Sequence, residues 1–249
     1  MDKIREKLAK GGSIYGTWVA LANTNSAEIV ANAGYDFVVI DMQHGGLAPN
    51  DILPLIQVFD GKGIPALVRV TWTDPAQIMR ALDLGAAGVV VPMVSTAEQA
   101  KTAADACRYP PAGIRSFGPV RRYYSTDGSV ADPICLVMVE TAQALDNLDA
   151  IASTPNVDGI LIGPMDLALS VGFSQAEGLA GPPRILQETS RIVEACKRNN
   201  IISASAALGL PNGKKLADLG VQMIAAGADS LQIMLGTASD LKEMRSWQN

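Results

Sequence analysis

Short unbroken apolar runs are spaced along this chain of 249 residues, with longer stretches of mixed polarity between them. Three phrases show the pattern: Asn-Ala-Gly-Tyr-Asp-Phe-Val-Val-Ile-Asp (32–41), Asp-Leu-Gly-Ala-Ala-Gly-Val-Val-Val-Pro (83–92) and Asp-Leu-Gly-Val-Gln-Met-Ile-Ala-Ala (218–226). In each, a helix end is followed by glycine and then by consecutive β-branched or aliphatic residues. Glycine supplies the left-handed conformation that stops a helix, and an unalternating apolar run suits a strand buried on both faces. The pattern predicts strands at 16–20, 37–41, 66–70, 89–92, 134–139, 159–162, 201–204 and 222–225, separated by helices. Asp74-Pro75 places a capping side chain before a first-turn proline, and Ser95 with Glu98 has capping-box spacing. Eight strand–helix units in one chain of this length favour closure into a (β/α)₈ TIM barrel over an open doubly wound sheet. No stretch reads as an interdomain linker, so residues 1–249 are expected to form a single domain. Two segments, 109–133 and 172–183, lack an apolar period and read as long functional loops at the C-terminal ends of strands.

Composition narrows the class. With 48% hydrophobic and 18% charged residues, the chain is not disordered. Its net charge is −5, and the densest basic spots (Arg121-Arg122, Lys197-Arg198, Lys214-Lys215) are only pairs. Nucleic acid and anionic membrane surfaces are therefore excluded as expected partners. No apolar run approaches the roughly 18 residues of a membrane span, and the first residues have no signal-like apolar core. Cys107, Cys135 and Cys196 are an odd, widely spaced set that reads as reduced and buried, and a cytoplasmic protein is expected.

A barrel of this kind carries its chemistry where the strands end. Strand 2 ends at Asp41, followed by His44, the only histidine in the chain. Arg69 stands between valines in strand 3, strand 5 runs into Glu140, and strand 6 leads through Gly-Pro-Met into Asp166. Each has an ordinary structural reading. A lone loop histidine is more often a surface residue, and Glu140 or Asp166 could cap the helix that follows, although glutamate caps poorly. An arginine whose base lies among valines needs an anion close by. Taken together the set converges on one rim, which independent caps would have no reason to do.

Two carboxylates without a thiol or second imidazole make a hard oxygen site suited to Mg²⁺ or Mn²⁺, with Co²⁺ as a further candidate. A divalent ion with open positions can chelate a 2-oxo acid and act as a Lewis acid for enolate formation. Arg69 would stabilise the developing oxyanion, and His44 would move the proton, its basicity set by Asp41 or Asp83. A Schiff-base mechanism is disfavoured because none of the nine lysines falls in a predicted strand. The segments after strands 7 and 8 read Ser-Ala-Ala-Leu-Gly and Gly-Ala-Asp, where Asp229 would repel a phosphate.

At these residues the sequence resembles the HpcH/HpaI aldolase family of metal-dependent, class II pyruvate aldolases. The motifs are Val39-Ile40-Asp41-Met42-Gln43-His44, Val68-Arg69-Val70, Asp74-Pro75, Leu82-Asp83-Leu84-Gly85-Ala86, Val91-Pro92-Met93-Val94, Arg108 through Arg115, Val139-Glu140-Thr141 and Ile162-Gly163-Pro164-Met165-Asp166-Leu167. The resemblance implies a barrel with a helix exchanged between subunits, assembled as a homo-hexamer. It implies that Glu140 and Asp166 hold the metal, that His44 is the acid/base with Asp83 raising its basicity, and that Arg69 stabilises the enolate. It also places the 2-oxo acid's carboxylate on backbone N–H groups around Gly163, Met165 and Asp166. The chain departs from the family's usual residues at Gln43 (often Glu), Met138 (a substrate-contacting Gln) and Met165 (a smaller residue).

The expected activity is reversible cleavage of a 4-hydroxy-2-oxo acid to pyruvate, or a related 2-oxo acid, and an aldehyde through a metal-bound enolate. Candidate substrates are 4-hydroxy-2-oxoheptanedioate and 2-keto-3-deoxy sugar acids. The alternatives are an oxaloacetate decarboxylase or acyl-CoA lyase with the same enolate chemistry, and a non-catalytic barrel subunit.

Overall fold

The computed structural model describes residues 3–118, 121 and 132–247. In chain order the elements are α1 (Lys3–Leu8), β1 (Ile14–Val19), α2 (Thr24–Asn32), β2 (Phe37–Asp41), α3 (Ile52–Gly61), β3 (Ala66–Arg69), α4 (Pro75–Asp83), β4 (Gly88–Val91), α5 (Ala97–Cys107) and β5 (Ile134–Val139). They continue with α6 (Ala142–Asp146), α7 (Leu148–Ala152), β6 (Gly159–Ile162), α8 (Pro164–Ser170), α9 (Gln175–Ala180), α10 (Pro183–Asn199), β7 (Ile202–Ala207), α11 (Leu210–Asp218), β8 (Met223–Ala228) and α12 (Asp229–Ser246). The strands are parallel and close into a barrel in sequence order, β8 pairing with β1 through Ile14–Met223 and Gly16–Ala225.

Strand alternation divides the core into two layers. Inward residues, among them Ile14, Phe37, Val39, Leu67, Leu136, Leu161 and Met223, fill the barrel. Outward residues such as Val38, Ile40, Val68, Val89, Val137 and Ile160 pack beneath the helices. Gly16 is required in the inner layer, because a Cβ there would stand 2.6 Å from the Phe37 ring. The ring occupies the space that a side chain on β1 would need.

Three expectations are corrected. The described parts of the segment 109–133 follow α5 and lead into β5, so they belong to the rim where strands begin, not the rim where they end. Arg122, with the rest of 122–131 and residues 119–120, lies outside the described residues. Within 172–183 the chain forms α9, with Ser174 and Glu177 closing a capping box that the weak apolar pattern concealed. The box at the start of α5 uses Thr96 and Gln99, one residue beyond the expected Ser95–Glu98 pair. The Asp74 cap is present, its carboxylate accepting from the Ala76 N–H at 2.9 Å. All three cysteines are buried and free.

Helix α12 departs from the packing of the other long helices. Only Asp229 on it is buried, while Ile233, Met234, Leu235, Leu241 and Met244 are exposed. Tyr15, on the outer face of β1, is exposed as well. No helix is long and apolar enough to cross a membrane among the described residues.

Candidate active site

A cavity of about 520 Å³ opens at the C-terminal ends of the strands and is lined by Asp41, His44, Arg69, Glu140, Gly163 and Asp166, among others. Arg69, at the end of β3, is buried and reaches Asp41 at the end of β2. Its Nε donates to Asp41 Oδ1 at 2.8 Å and its Nη2 to Oδ2 at 2.7 Å. This fork is the anion that the valine-flanked arginine required. The guanidinium lies over the Trp18 ring, 4.4 Å from its centroid, leaving Nη1 facing Met138 Sδ at 4.0 Å. Nη1 is thus the part of the fork not already used by Asp41.

Glu140 follows β5 and is 1% exposed. Its Oε1 accepts from the Met93 N–H at 2.7 Å, and its Oε2 is buried with no hydrogen-bond partner. Burial pushes its pKa up to about 7, and the nearby Asp166 charge adds to the rise, while the Met93 N–H and Arg69 oppose it. Two backbone features make room for this carboxylate. Met93 has a φ of 57°, a left-handed conformation uncommon outside glycine, which turns its N–H toward Oε1. Gly163 has no side chain, and a Cβ there would fall 2.2 Å from Oε2. Neither Glu140 nor Asp166 is a helix cap: Thr141 caps α6, and Asp166 lies inside the first turn of α8 after the Gly163 N-cap.

His44 is exposed at the cavity mouth. Its backbone N–H donates to Asp41 Oδ1 at 3.3 Å, beside a 3.0 Å bond from the Gln43 N–H to the same oxygen. Asp41 therefore fixes both the turn that carries His44 and the Arg69 fork. Asp83 is elsewhere. It ends α4 on the opposite rim and pairs with Arg115 Nη2 at 2.9 Å. Within one chain, the expected Asp83–His44 partnership is not formed, because α4 runs back along the barrel and delivers its last residue to the start of β4. Asp229 also has a structural task, accepting from the Ala20 N–H at 2.8 Å and the Ser26 hydroxyl at 3.2 Å.

A buried, unpartnered carboxylate oxygen beside a second carboxylate fits a hard divalent cation, with the remaining positions left to water and substrate oxygens. Among the described residues no group of three His, Cys, Asp or Glu is placed to hold a metal ion by itself, which disfavours an all-protein cage. Sequence reasoning did not find Trp18, Leu179, Leu208 or Leu231 in the lining. Trp18 was visible only as part of an apolar strand, and the leucines follow no motif.

The eight-stranded parallel barrel with polar strand ends around this cavity is the layout of a barrel enzyme, and the comparisons give its class, a lyase of the aldolase type. Residues 15–234 match the family model for the HpcH/HpaI aldolase/citrate lyase family, and the chain belongs to that family. A 4-hydroxy-2-oxo-heptane-1,7-dioate aldolase from Salmonella arizonae is 36% identical, over 94% of this chain and 91% of its own. A crystal structure of a family protein from Burkholderia cenocepacia superimposes with a TM-score of 0.86 at 28% identity, covering 98% of this chain and 100% of that one. The citrate synthase SbnG gives 0.85 at 26%, covering 98% of both. The fold alone is shared with a citrate lyase beta subunit from M. tuberculosis complexed with oxaloacetate and magnesium, at a TM-score of 0.59 and 16% identity, over 90% of this chain and 95% of that one.

Proposed function

We propose that this protein is a divalent-metal-dependent aldolase that cleaves 4-hydroxy-2-oxo acids to pyruvate and an aldehyde, and runs the reverse addition. The observation that carries this reading is the buried Glu140 Oε2, unpartnered, in the same cavity as Asp166 and the Nη1 edge of Arg69 that faces the Met138 thioether. Glu140 and Asp166 would hold Mg²⁺ or a similar ion, which when bound supplies Lewis acidity to the 2-oxo acid. The magnesium in the citrate lyase beta subunit supports this choice of ion.

The chain's own groups account for the remaining steps. The N–H groups of Met165 and Asp166, in the first turn of α8, point out of the helix and offer donors to the substrate carboxylate; Leu167 is the first to bond back, to Gly163 O at 3.0 Å. Arg69 Nη1 stabilises negative charge on the C2 oxygen, its direction fixed by the Asp41 fork and the Trp18 ring. His44 removes the C4-hydroxyl proton. The C3–C4 bond then breaks, releasing the aldehyde and leaving the pyruvate enolate, which is protonated at C3. Asp41 is the carboxylate that positions His44 within the chain. A role for Asp83 at His44 would need a second subunit.

Assembly is proposed on the same footing. The exposed apolar residues of α12 and a groove of about 810 Å³ bounded by Leu21, Ile29 and Ile233 provide a surface suited to exchange of α12 between copies, in a homo-hexamer.

The test of the activity is pyruvate release from a 4-hydroxy-2-oxo acid, followed with and without EDTA and compared with oxaloacetate as substrate. Metal-dependent aldol cleavage faster than decarboxylation is expected. Decarboxylation alone would assign the site to the alternative enolate chemistry.

A further inference from the structure

The two carboxylate oxygens of Glu140 stand in different surroundings. Oε1 is taken up by the Met93 N–H at 2.7 Å, while Oε2 has no partner. Met93 lies two residues beyond β4, the strand that pairs with β5, and its φ of 57° points the N–H at the carboxylate. Such a torsion is uncommon for a residue with a side chain and persists only where neighbours hold it.

Those neighbours are present on both sides of Met93. Pro92 precedes it with a φ fixed by its ring, and Val94 follows it with its side chain fully buried. One residue further on, the Ser95 hydroxyl is 2.8 Å from that of Thr141, the residue after Glu140. The Asn147 side-chain amide donates to Ser95 O at 2.8 Å, and Thr141 Oγ1 accepts from the Ala144 N–H at 3.0 Å at the start of α6. The turn after β4 is therefore stitched to the turn after β5 at three points, of which only the Met93 bond touches the carboxylate. The other two keep the Met93 torsion from relaxing. On the far side of the carboxylate, Gly163 leaves Oε2 the space that a Cβ would fill.

We propose that Met93 is a positioning residue for the metal site: its backbone N–H holds Oε1, so that Glu140 offers the ion Oε2 alone and in one orientation. This role rests on the metal-dependent reading of Glu140 and Asp166 given above. A carboxylate with no donor on Oε1 is free to rotate about its Cγ–Cδ bond and to present either oxygen. Only a fraction of those orientations suits an ion shared with Asp166, and the apparent affinity falls by that fraction. Hydrogen bonds to ligating carboxylates set metal affinity by about 10- to 100-fold. The contribution belongs to the backbone of residue 93, not to its side chain.

The direct test replaces the Met93 N–H by an ester oxygen, through incorporation of the α-hydroxy analogue of methionine at position 93 of the full-length chain. The side chain is kept and only the donor is lost. Mn²⁺ affinity is measured by calorimetry, and urea titration in EDTA confirms that each protein is folded. The expected result is Mn²⁺ binding weaker than that of the wild type by about tenfold or more. A second pair of variants reaches the same bond through the torsion. Met93→Val, branched at Cβ, resists a φ of 57° and should bind Mn²⁺ more weakly than Met93→Gly, which accepts it. A smaller loss in a folded ester protein would overturn the proposal. So would a Met93→Gly affinity equal to or below that of Met93→Val, which would assign the effect to the side chain. Should the ester protein fail to fold, the Val and Gly pair decides alone. A wild type that binds no Mn²⁺ sinks the metal-dependent reading and the proposal with it, whereas wild-type binding undiminished in the ester protein sinks only the positioning role.

Discussion

On the rim where the strands begin, charge is paired off. Asp158 accepts from Arg5 Nη2 and Arg108 Nη2, both at 2.6 Å, and from the Cys135 N–H at 2.8 Å. Arg115 holds Asp83 and lies over the Tyr109 ring at 4.8 Å, with its buried Nε lacking a partner. On the rim where the strands end, the Arg69–Asp41 fork is equally well made, yet it stands beside a carboxylate oxygen buried without a partner and a histidine left exposed. The first rim stabilises the barrel, whereas the second keeps polar groups unsatisfied at a cost in stability. That cost is sensible where a ligand completes the set. Burial pushes the Glu140 pKa up to about 7, whereas the bonds from Arg5, Arg108 and the Cys135 N–H make Asp158 a structural anchor.

Substitutions on the two rims should therefore fail in different ways. The largest effect is expected from Glu140→Gln or Asp166→Asn, each lowering kcat/KM by on the order of 10³-fold or more, with metal binding by calorimetry weakened in parallel. His44→Ala should lower kcat by about 10²–10⁴-fold while leaving the metal affinity in place. Arg69→Lys, which keeps the charge but loses the fork, should cost about 10²–10³-fold in activity. On the opposite rim, Asp158→Asn should destabilise the fold by about 3 kcal/mol in urea titrations, with turnover per folded molecule unchanged. Equal activity losses on both rims would erase the distinction.

The smallest expected effect is the dependence of stability on pH. In the folded protein, the pKa of Glu140 rises from 4.5 to about 7. The folded state therefore holds a proton that the unfolded chain gives up first, so this contribution is full below the unfolded pKa and is lost as pH rises toward about 7. In EDTA, the urea midpoint of the wild type should fall between pH 5 and pH 8 more than that of Glu140→Gln. Parallel slopes would mean that burial of Glu140 carries no such penalty.

Most of the barrel could be read from the chain because each βα unit writes its own punctuation. β2, β5 and β6 occur at the expected residues, and β7 and β8 each end three residues beyond expectation, through Ala-rich stretches that carry weak strand signals. His44, Arg69, Glu140 and Asp166 were legible because strand ends converge by topology. The placement of Asp83 was not, because a motif does not record which rim a helix end reaches. Met93 was invisible as a donor, since its role lies in a backbone torsion and not in its side chain. Leu179, Leu208 and Leu231 carry no local pattern, and only the folded loops bring them to one cavity.

The central claim is that Glu140, Asp166, Arg69 and His44 together generate an enolate from pyruvate. Proton NMR of pyruvate in D₂O tests it without any knowledge of the aldehyde. The account requires loss of the methyl signal in the presence of protein and Mg²⁺ or Mn²⁺, suppressed by EDTA and by His44→Ala. Absence of exchange with metal present, or exchange that persists in Glu140→Gln with EDTA, would contradict it.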